Sequence, residues 1–289
     1  MPSDAPSPPP IIVINLASDS DRLSHMERQL TTLGLSFRRF EAIRGLAVPP
    51  GLKERFLDTH NRPLSNLKPG EIGVYASHLA IMQELLRSDD ECVIVMEDDL
   101  HISQRLPAFL TRINNLPCDW DIVRLSNPSK SAYVAKADLG VAGELVAYLR
   151  VPNNMGCYLI NKRGAAKILA GWEVAIHAID EDLRRPWDFS LITYGVSPPP
   201  VDANVLATSS IDAIGERNLA RETGMQKLLR RRRIGPAGLR RKIAWQVQTL
   251  GIGAWLECLA RSALFRAARR LGVKRPLLLR ADRTRDDER

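Results

Sequence analysis

Three consecutive carboxylates, Glu97-Asp98-Asp99, directly follow the five apolar residues Cys92–Met96. At the end of a buried strand, their mutual repulsion would raise their pKa values unless a cation lies beside them. A hard divalent cation, Mn2+ or Mg2+, held by carboxylates and the oxygens of a diphosphate, would relieve that repulsion. Because Glu97 and Asp99 face the same side of a regular strand, we predict Asp99 as the direct metal ligand, with Glu97 or Asp98 contacting a ribose or acting through water. The alternative is a polar turn that only caps the next element.

A second acidic segment, Asp180-Glu181-Asp182, lies between an apolar stretch and Arg184-Arg185. A carboxylate here could take the proton from an attacking hydroxyl group, and Asp180 is the first candidate for that general base. The other interpretation is a helix N-terminus whose acidic residues pair with the arginines that follow, and the segment taken by itself favours it.

Other catalytic and metal-binding patterns are missing from the sequence. Its five histidines have no metal-ligand spacing, and its four cysteines form no C-x-x-C pair, which argues against a zinc cluster or a disulfide scaffold and fits a reducing compartment. It has no P-loop, no G-x-G-x-x-G after the first strand and no G-x-S-x-G motif. His78, which follows Ser77 on the helix before the acidic strand, is distinguished only by that position.

Apolar runs with strand patterns alternate with helix patterns along the chain. Continuous runs such as Ile11–Ile14 and Cys92–Met96 are typical of strands buried on both faces. Helices are predicted from about Ser20 to Leu33, with Gly34 as a stop, and from Glu71 to Leu86. Further strands are predicted at 37–43, 121–125 and 157–160, with a helix at 164–169. We therefore predict an α/β fold with a mixed, mainly parallel sheet flanked by helices.

Two polar segments follow strands of this sheet. Asn15-Leu16 ends the first strand, and Glu97-Asp98-Asp99 ends a later one. Because ligands of open α/β sheets bind beyond the carboxyl ends of the strands, we expect the two segments to line one crevice.

Charge and composition divide the 289 residues into three parts. Residues 217–289 hold 20 Lys and Arg against 6 Asp and Glu, a net charge of +14, whereas residues 1–216 carry 21 against 27, a net charge of −6. We predict a disordered Pro-rich leader at 1–10, a catalytic domain at 11–216 and a basic, mostly helical extension at 217–289. Because no signal peptide or membrane span is recognisable at the N-terminus, the expected location is the cytoplasm.

The basic extension has an amphipathic stretch at 226–270. It combines Arg230–Arg233 and Arg240-Arg241-Lys242 with apolar residues that include Trp255. Such a helix could lie on an anionic membrane surface, which would make the protein peripheral on the cytoplasmic face of the inner membrane, or it could fold back on the body. Nucleic-acid binding is not expected, because interleaved aromatic residues are few.

Several short motifs occur in a fixed order between Ile11 and Ile211. They are Ile14-Asn15-Leu16 with Asp21-Arg22, Phe40-Glu41-Ala42 with Gly45, Gly70-Glu71-Ile72-Gly73 with Ser77-His78-Leu79, Val95-Met96-Glu97-Asp98-Asp99, Trp120-Asp121, Gly156-Cys157-Tyr158-Leu159-Ile160 with Gly164-Ala165, and Asp180 upstream of Pro199. In this order the chain resembles glycosyltransferase family 25, which includes bacterial lipooligosaccharide galactosyltransferases and collagen-modifying enzymes.

The resemblance implies a GT-A-like nucleotide-sugar-binding fold, a UDP-sugar donor (often UDP-galactose), a divalent metal and inversion at the anomeric carbon. The residues that it implies for donor binding are Asn15, Leu16, Asp21, Arg22, Ala42, Ser77, His78, Glu97 and Asp98. It places Asp99 with Glu97 at the metal and Asp180 near the acceptor, a glycan or a lipid-linked glycan. Arg44 departs from the pattern, because the family commonly has an acid before the glycine at Gly45, and this leaves open how the nucleoside is bound.

The leading hypothesis is therefore a metal-dependent inverting hexosyltransferase of lipopolysaccharide, lipooligosaccharide or surface-glycan biosynthesis. One alternative is metal-dependent nucleotidyl or phosphoryl transfer, against which the missing Gly-rich loop counts. The other is a non-catalytic, membrane-associated adaptor with a vestigial sugar site, in which the basic extension would be the working part.

Overall fold

The structure is a computed structural model, and it describes residues 8–126, 129, 131–153, 155–171, 173–203 and 235–270. The strands are β1 (Ile11–Asn15), β2 (Arg38–Glu41), β3 (Cys92–Glu97), β4 (Leu100–Ile102), β5 (Ile122–Arg124), β6 (Tyr133–Asp138), β7 (Glu144–Tyr148), β8 (Cys157–Asn161), β9 (Thr193–Ser197) and β10 (Val201–Ala203). The helices are α1 (Ser20–Thr32), α2 (Pro50–Lys53), α3 (Pro69–Arg87), α4 (Arg105–Leu110), α5 (Lys162–Leu169), α6 (Ile179–Asp182), α7 (Pro236–Leu250) and α8 (Ile252–Arg270).

Eight strands form one mixed sheet in the order β2-β1-β3-β8-β5-β9-β7-β6, and β10 pairs with β4 in a small antiparallel sheet. The predicted α/β class and the mixed sheet flanked by helices are confirmed. Parallel pairing is less extensive than expected: β1 pairs in parallel with β2 and β3, and β5 with β9, but the other four pairs of the large sheet are antiparallel. A strand buried on both faces has the same apolar sequence in either orientation, so the sequence did not distinguish them.

Helices cover both faces of the sheet, which explains the continuous apolar strands. Ile12 and Ile14 point into one core with the buried side of α3, whereas Ile11 and Val13 point into the other with α1 and α4. Since successive side chains of a strand point to opposite faces, all positions of β1 must be apolar or otherwise satisfied. The polar exception, Asn15, comes where the strand ends.

Helix α3 positions much of the candidate site. It begins at Pro69, where the Glu71 carboxylate accepts a hydrogen bond from the Lys68 N–H at 2.9 Å. Gly73 allows the segment after β2 to approach closely, because a Cβ at this position would lie 2.3 Å from the Ile43 carbonyl oxygen. A side chain at position 73 would therefore push that segment away from α3.

The predicted leader and basic extension are described only in part. Residues 1–7, 217–234 and 271–289, together with the predicted boundary near Glu216, lie outside the described residues. The Pro10 carbonyl accepts a hydrogen bond from the Ile94 N–H at 3.0 Å, so strand pairing begins one residue before Ile11. Within the described segments, no helix is both long and apolar enough to cross a membrane.

Of the extension, α7 folds back on the body. The Trp245 indole donates to the Leu191 carbonyl oxygen at 2.7 Å, and the Gln246 side chain donates to the Leu149 carbonyl oxygen at 2.6 Å. The inner side of α7 is thus part of the folded domain, as one of the two interpretations of this stretch expected.

Candidate active site

The ends of β1 and β3 meet, as the sequence predicted. These neighbouring parallel strands place Ile14 opposite Glu97, so the residues that follow them share one edge of the sheet. The Asn15 amide donates to Asp98 Oδ2 at 2.7 Å and to the Asp19 carbonyl oxygen at 3.0 Å, while its Oδ1 accepts from Arg39 Nε at 3.1 Å. The predicted crevice therefore has a hydrogen-bonded wall.

Asp98 is the anchored member of the first acidic segment. One oxygen accepts from Asn15 and the other from Arg22 Nη1 at 2.9 Å. Burial raises the pKa of Asp98, although the hydrogen bonds from Asn15 and Arg22 act in the opposite direction. Both oxygens thus connect β3 to β1 and α1, and the structure places Asp98 in the wall of the crevice.

Asp99 and Glu97 form the second part of this segment. Burial first, and then the negative charge of Glu97, raise the pKa of Asp99 to about 6, so the two carboxylates lie within electrostatic reach of each other. The strand alternation that predicted their common side does not apply, because β3 ends at Glu97 and the chain bends through Asp99 to begin β4. Their proximity arises from this bend instead.

Ser77 and His78 on α3 are both fully buried. The Ser77 hydroxyl accepts from the Ile43 N–H and donates to the Gly73 carbonyl oxygen, both at 2.8 Å. His78 Nδ1 lies 2.8 Å from the Tyr158 hydroxyl group, and its Nε2 lies 3.8 Å from Glu97. If Ser77 and His78 contribute to donor binding, as the resemblance implies, they would do so indirectly, Ser77 through Ile43 and His78 through Glu97.

The other residues that the resemblance implies for the donor surround the end of β1. The Ala42 N–H donates to the Asn15 carbonyl oxygen at 3.0 Å, which brings the segment after β2 to this edge. Leu16 is half-buried beside it, whereas Asp21 is exposed on the first turn of α1. Arg44 reaches the same edge, where its Nη2 donates to the Ser18 hydroxyl group at 2.9 Å.

The second acidic segment forms the short helix α6, and its last residue is buried. Asp182 Oδ2 accepts from the Tyr75 hydroxyl group at 3.1 Å, and Oδ1 lies 3.1 Å from His177 Nδ1. The interpretation of a helix start with acids in its first turn is partly right, but its expected pairing with arginines is wrong for Asp182, because Arg185 pairs with Asp188 at 2.7 Å. Asp182 instead fastens α6 to α3.

Asp180 and the first acidic segment share one electrostatic environment. Burial raises the pKa of Asp180, and the charge of Glu97 raises it further, while Arg124 acts in the opposite direction. The structure thus brings within electrostatic reach two carboxylates that lie 83 positions apart in the sequence. A half-buried carboxyl group with a raised pKa is suited to accept a proton near neutral pH.

Arg124, at the end of β5, is the residue that the sequence interpretation missed. It is 1% exposed, its Nη2 donates to the Pro152 carbonyl oxygen at 3.5 Å, and Nη1 contacts the Met155 sulfur. Burial lowers its pKa to about 10, which leaves it charged, and the carboxylates of Asp180 and Glu97 are among the groups that favour this charge. An arginine inside an otherwise apolar strand was the available signal, since a buried cation needs anionic neighbours.

The residues present fit a divalent cation that a substrate completes. Within the described ranges, no three His, Cys, Asp or Glu side chains are grouped to hold a metal by themselves. Mg2+ and similar hard ions, however, are commonly held by one or two carboxylates together with substrate phosphates and water. Glu97 and Asp99 provide two such carboxylates, and the pKa of Asp99 is raised partly because Glu97 repels its charge.

Comparison with known proteins gives the family context. The sequence model described as "Glycosyltransferase family 25 (LPS biosynthesis protein)" matches residues 9–183. Procollagen galactosyltransferase 1-B of Xenopus laevis is 31% identical over 179 residues, which cover 55% of this chain and 28% of that protein. A glycosyltransferase 25 family member of Aedes aegypti is 28% identical over 182 residues, or 55% and 27% of the two chains. The matches thus span less than a third of these relatives.

Among solved structures, a Drosophila β-1,4-galactosyltransferase 7 mutant in complex with manganese, UDP-Gal and xylobiose is similar with a TM-score of 0.37 and 11% identity. The similarity covers 78% of this chain and 81% of that one.

Proposed function

The chain belongs to glycosyltransferase family 25, and from that premise we propose that it transfers a hexose, galactose, from a UDP-sugar to a hydroxyl group of a glycan, with inversion at the anomeric carbon. One observation carries the proposal: two acidic segments from distant parts of the sequence share one electrostatic environment beside the crevice at the ends of β1 and β3. Transfer by a single displacement needs charge stabilisation on the leaving diphosphate and a base at the acceptor, and the two segments can divide these tasks.

The UDP part of the donor would bind in the crevice beyond β1 and β3. Its wall is already ordered by the hydrogen bonds among Asn15, Asp98 and Arg22. The segment after β2 closes one side, where Ala42 pairs with the Asn15 carbonyl group. Such a preformed wall costs little ordering when a ligand binds.

Asp99 and Glu97 would hold Mn2+ or Mg2+ in this proposal. The bound cation would supply neutralisation of the charge that develops on the departing diphosphate. Asp99 must lose its proton to act as a ligand, and its pKa of about 6 lets it do so at neutral pH. His78 Nε2 lies 3.8 Å from Glu97, on the buried side of that carboxylate.

Asp180 would be the general base. As the acceptor oxygen forms its bond to the anomeric carbon and the bond to the diphosphate breaks, the hydroxyl proton passes to Asp180. Its raised pKa makes it a stronger base than a solvated carboxylate, and the buried charge of Arg124 favours its ionised form before the reaction. The hydrogen bonds of Asp182 to Tyr75 and His177 hold the helix that carries Asp180.

We also propose that the acceptor belongs to lipopolysaccharide, lipooligosaccharide or another surface glycan and that the protein works in the cytoplasm. The description of the matching family model names lipopolysaccharide biosynthesis, which supports the glycan class. The names of the relatives include procollagen galactosyltransferases, and the match covers 28% of the first of these proteins.

The test is release of UDP from UDP-galactose in the presence of glycan acceptors, with Mn2+ and with a chelator. We expect metal-dependent UDP release by the wild-type chain, none by Asp99→Ala, and wild-type behaviour for Glu84→Gln, an exposed carboxylate on α3. Equal rates for wild type and Asp99→Ala with and without chelator would contradict the proposal, and release of pyrophosphate instead of UDP would indicate nucleotidyl transfer.

The donor can be identified separately by thermal shift. A ligand that binds only the folded chain raises its melting temperature, so UDP-, GDP- and CMP-sugars can be compared in the presence of Mn2+. We expect the largest shift with a UDP-sugar. A larger shift with a GDP- or CMP-sugar would show that the nucleoside is bound differently, with Arg44 as the first residue to exchange.

A further inference from the structure

Helix α8 presents an apolar face to solvent. Ile252, Leu256 and Leu259 are 66%, 56% and 38% exposed, and they recur every three to four residues. Leu239 and Ile243, four residues apart on α7, are also exposed. We call these five residues the apolar face. Exposed apolar side chains clustered on consecutive helices, rather than scattered singly, mark an interaction surface.

The apolar face is the outer side of a helix pair whose inner side is already packed. Trp245 and Gln246 of α7 bind backbone carbonyl groups of the body. On α8, Trp255 donates from its indole to the Gln246 side chain at 3.2 Å, and Cys258 is buried. The outward leucines therefore do not belong to the core formed by the described residues.

The segment that carries the apolar face is strongly basic. Residues 235–270 contain seven Lys and Arg against one Asp or Glu, and the sequence on both sides of them is also rich in arginine. Three of these cations have partners within the chain: Arg241 pairs with Asp188 at 3.1 Å, Arg261 pairs with Glu257, and Lys242 Nζ lies 5.6 Å from the centre of the Trp187 ring. Arg240 is exposed beside Leu239.

We propose that the apolar face docks on an anionic lipid surface, with Leu256 and Leu259 entering the boundary between headgroups and acyl chains. An amphipathic helix with leucines on one side and basic residues around them binds such surfaces through both contributions. A second copy of the chain would bring the same basic surroundings face to face, and like charges would oppose that contact. A nucleic acid would satisfy the arginines and leave the leucines in water.

Helix α7 contacts the segment that follows α6. Arg241 on α7 pairs with Asp188, six residues after Asp182 at the end of α6. The docking itself needs neither donor nor turnover, so it stands apart from the proposed reaction.

The experiment is co-sedimentation of the full chain with vesicles of phosphatidylcholine, with and without phosphatidylglycerol. We expect binding only to the vesicles that contain phosphatidylglycerol, weakened by added salt. The double variant Leu256→Gln/Leu259→Gln should lower the partition coefficient roughly tenfold or more, because two leucines no longer leave water. Arg240→Gln should lower it about fivefold, the contribution of one basic residue near such a surface.

Val141→Gln is the matched control, because Val141 is an apolar residue that is 82% exposed in the connection between β6 and β7, outside α7 and α8. It should leave vesicle binding unchanged, and thermal unfolding curves should show that every variant is folded. Equal binding to neutral vesicles, or binding that the double variant does not weaken, would overturn the proposal. The proposal would also be overturned if the chain bound neither kind of vesicle and instead formed a dimer in sedimentation equilibrium that the double variant dissociates.

Discussion

The two acidic segments, Glu97–Asp99 and Asp180–Asp182, have a common arrangement and different partners. Each has one carboxylate that is buried and anchored, Asp98 or Asp182, and one that is half-buried with a raised pKa, Asp99 or Asp180. The anchored residue fixes the backbone of its segment. The backbone in turn holds the other carboxylate in a half-buried position, although a charged group would be better solvated in open water. In each segment, one residue therefore holds the backbone in place, and a different residue is available for chemistry.

The difference lies in the charges beside the half-buried carboxylate. After burial, the charge of Glu97 has the largest effect on the pKa of Asp99, and Arg22 offsets it in part, so two carboxylates of one segment share a site suited to a cation. Besides burial, the charges of Glu181 and Glu97 raise the pKa of Asp180, whereas the Glu181 N–H and the buried cation Arg124 lower it, so the charge of Asp180 is partly compensated within the protein. The first site calls for a metal ion, whereas the second is suited to exchange a proton.

The largest effect is expected from Asp180→Asn. If Asp180 accepts the proton of the acceptor, its loss should lower kcat about 10²–10⁴-fold, the usual contribution of a general base, with little change in the KM for the UDP-sugar. Steady-state kinetics with UDP-galactose provide the measurement, and Glu173→Gln, at an exposed carboxylate seven residues before Asp180, is the control. A rise in donor KM with unchanged kcat would mean that Asp180 contributes to donor binding and not to proton transfer, and the two segments would then not differ in function.

Asp182→Asn tests whether the anchored carboxylate acts through position. The change weakens the contacts with Tyr75 and His177, so we expect a loss of about 1–3 kcal/mol in unfolding free energy and a kcat about tenfold lower, with donor KM unchanged. Asp121→Asn is the matched control, because Asp121 is equally buried and binds Arg163 and Lys167. It should lower stability in the same way and leave kcat unchanged. Equal kcat losses in both variants would mean that Asp182 contributes stability only.

Arg22→Met tests the anchor of the first segment. Asp98 would keep Asn15 but lose its cation, so we expect a loss of about 1–3 kcal/mol in stability and a donor KM roughly tenfold higher. Arg38→Met breaks an exposed ion pair with Glu84 and should change stability by less than about 1 kcal/mol. If both arginines gave the same small change in stability and KM, the Asp98 anchor would have no role in donor binding.

The smallest effect concerns pH and Asp99. Its folded pKa of about 6 lies above the ordinary value of 3.8, so the folded state holds the proton more tightly and stability falls as pH rises from about 4 to about 6. Asp99→Asn should therefore stabilise the metal-free protein by roughly 1 kcal/mol at pH 8, a value reduced from the full shift because Asp99 is partly exposed, and by nothing at pH 4. Urea unfolding in chelator measures this difference, and a less stable variant at pH 8 would contradict it.

The first acidic segment and its crevice could be predicted from the sequence for a physical reason. The apolar runs before Asn15 and Glu97 indicated buried strands, and polar residues directly after such strands gather at one edge of the sheet. The hydrogen bond between Asn15 and Asp98 shows that the two segments meet at this edge, and their role in binding a donor stays a prediction. The family resemblance is confirmed by the model match over residues 9–183.

The second segment could not be interpreted locally, because its partners are distant in sequence. Tyr75 lies 107 positions before Asp182, and no periodicity near Asp182 indicates it. The nearby arginines suggested ion pairs instead, but Arg185 pairs with Asp188. Arg124 was overlooked because a single charged residue in a short strand usually points to solvent, and only the packed sheet shows that it is buried and that Asp180 and Glu97 influence its charge.

The central claim is that Asp99 binds the cation and that Asp180 accepts the proton. Calorimetric titration of UDP with and without Mn2+ tests it most directly. The account predicts that Asp180→Asn binds UDP in the same Mn2+-dependent manner as the wild-type chain, although it has lost turnover, and that Asp99→Asn loses the Mn2+ dependence of UDP binding. Wild-type Mn2+ dependence in Asp99→Asn, or its loss in Asp180→Asn, would contradict the account.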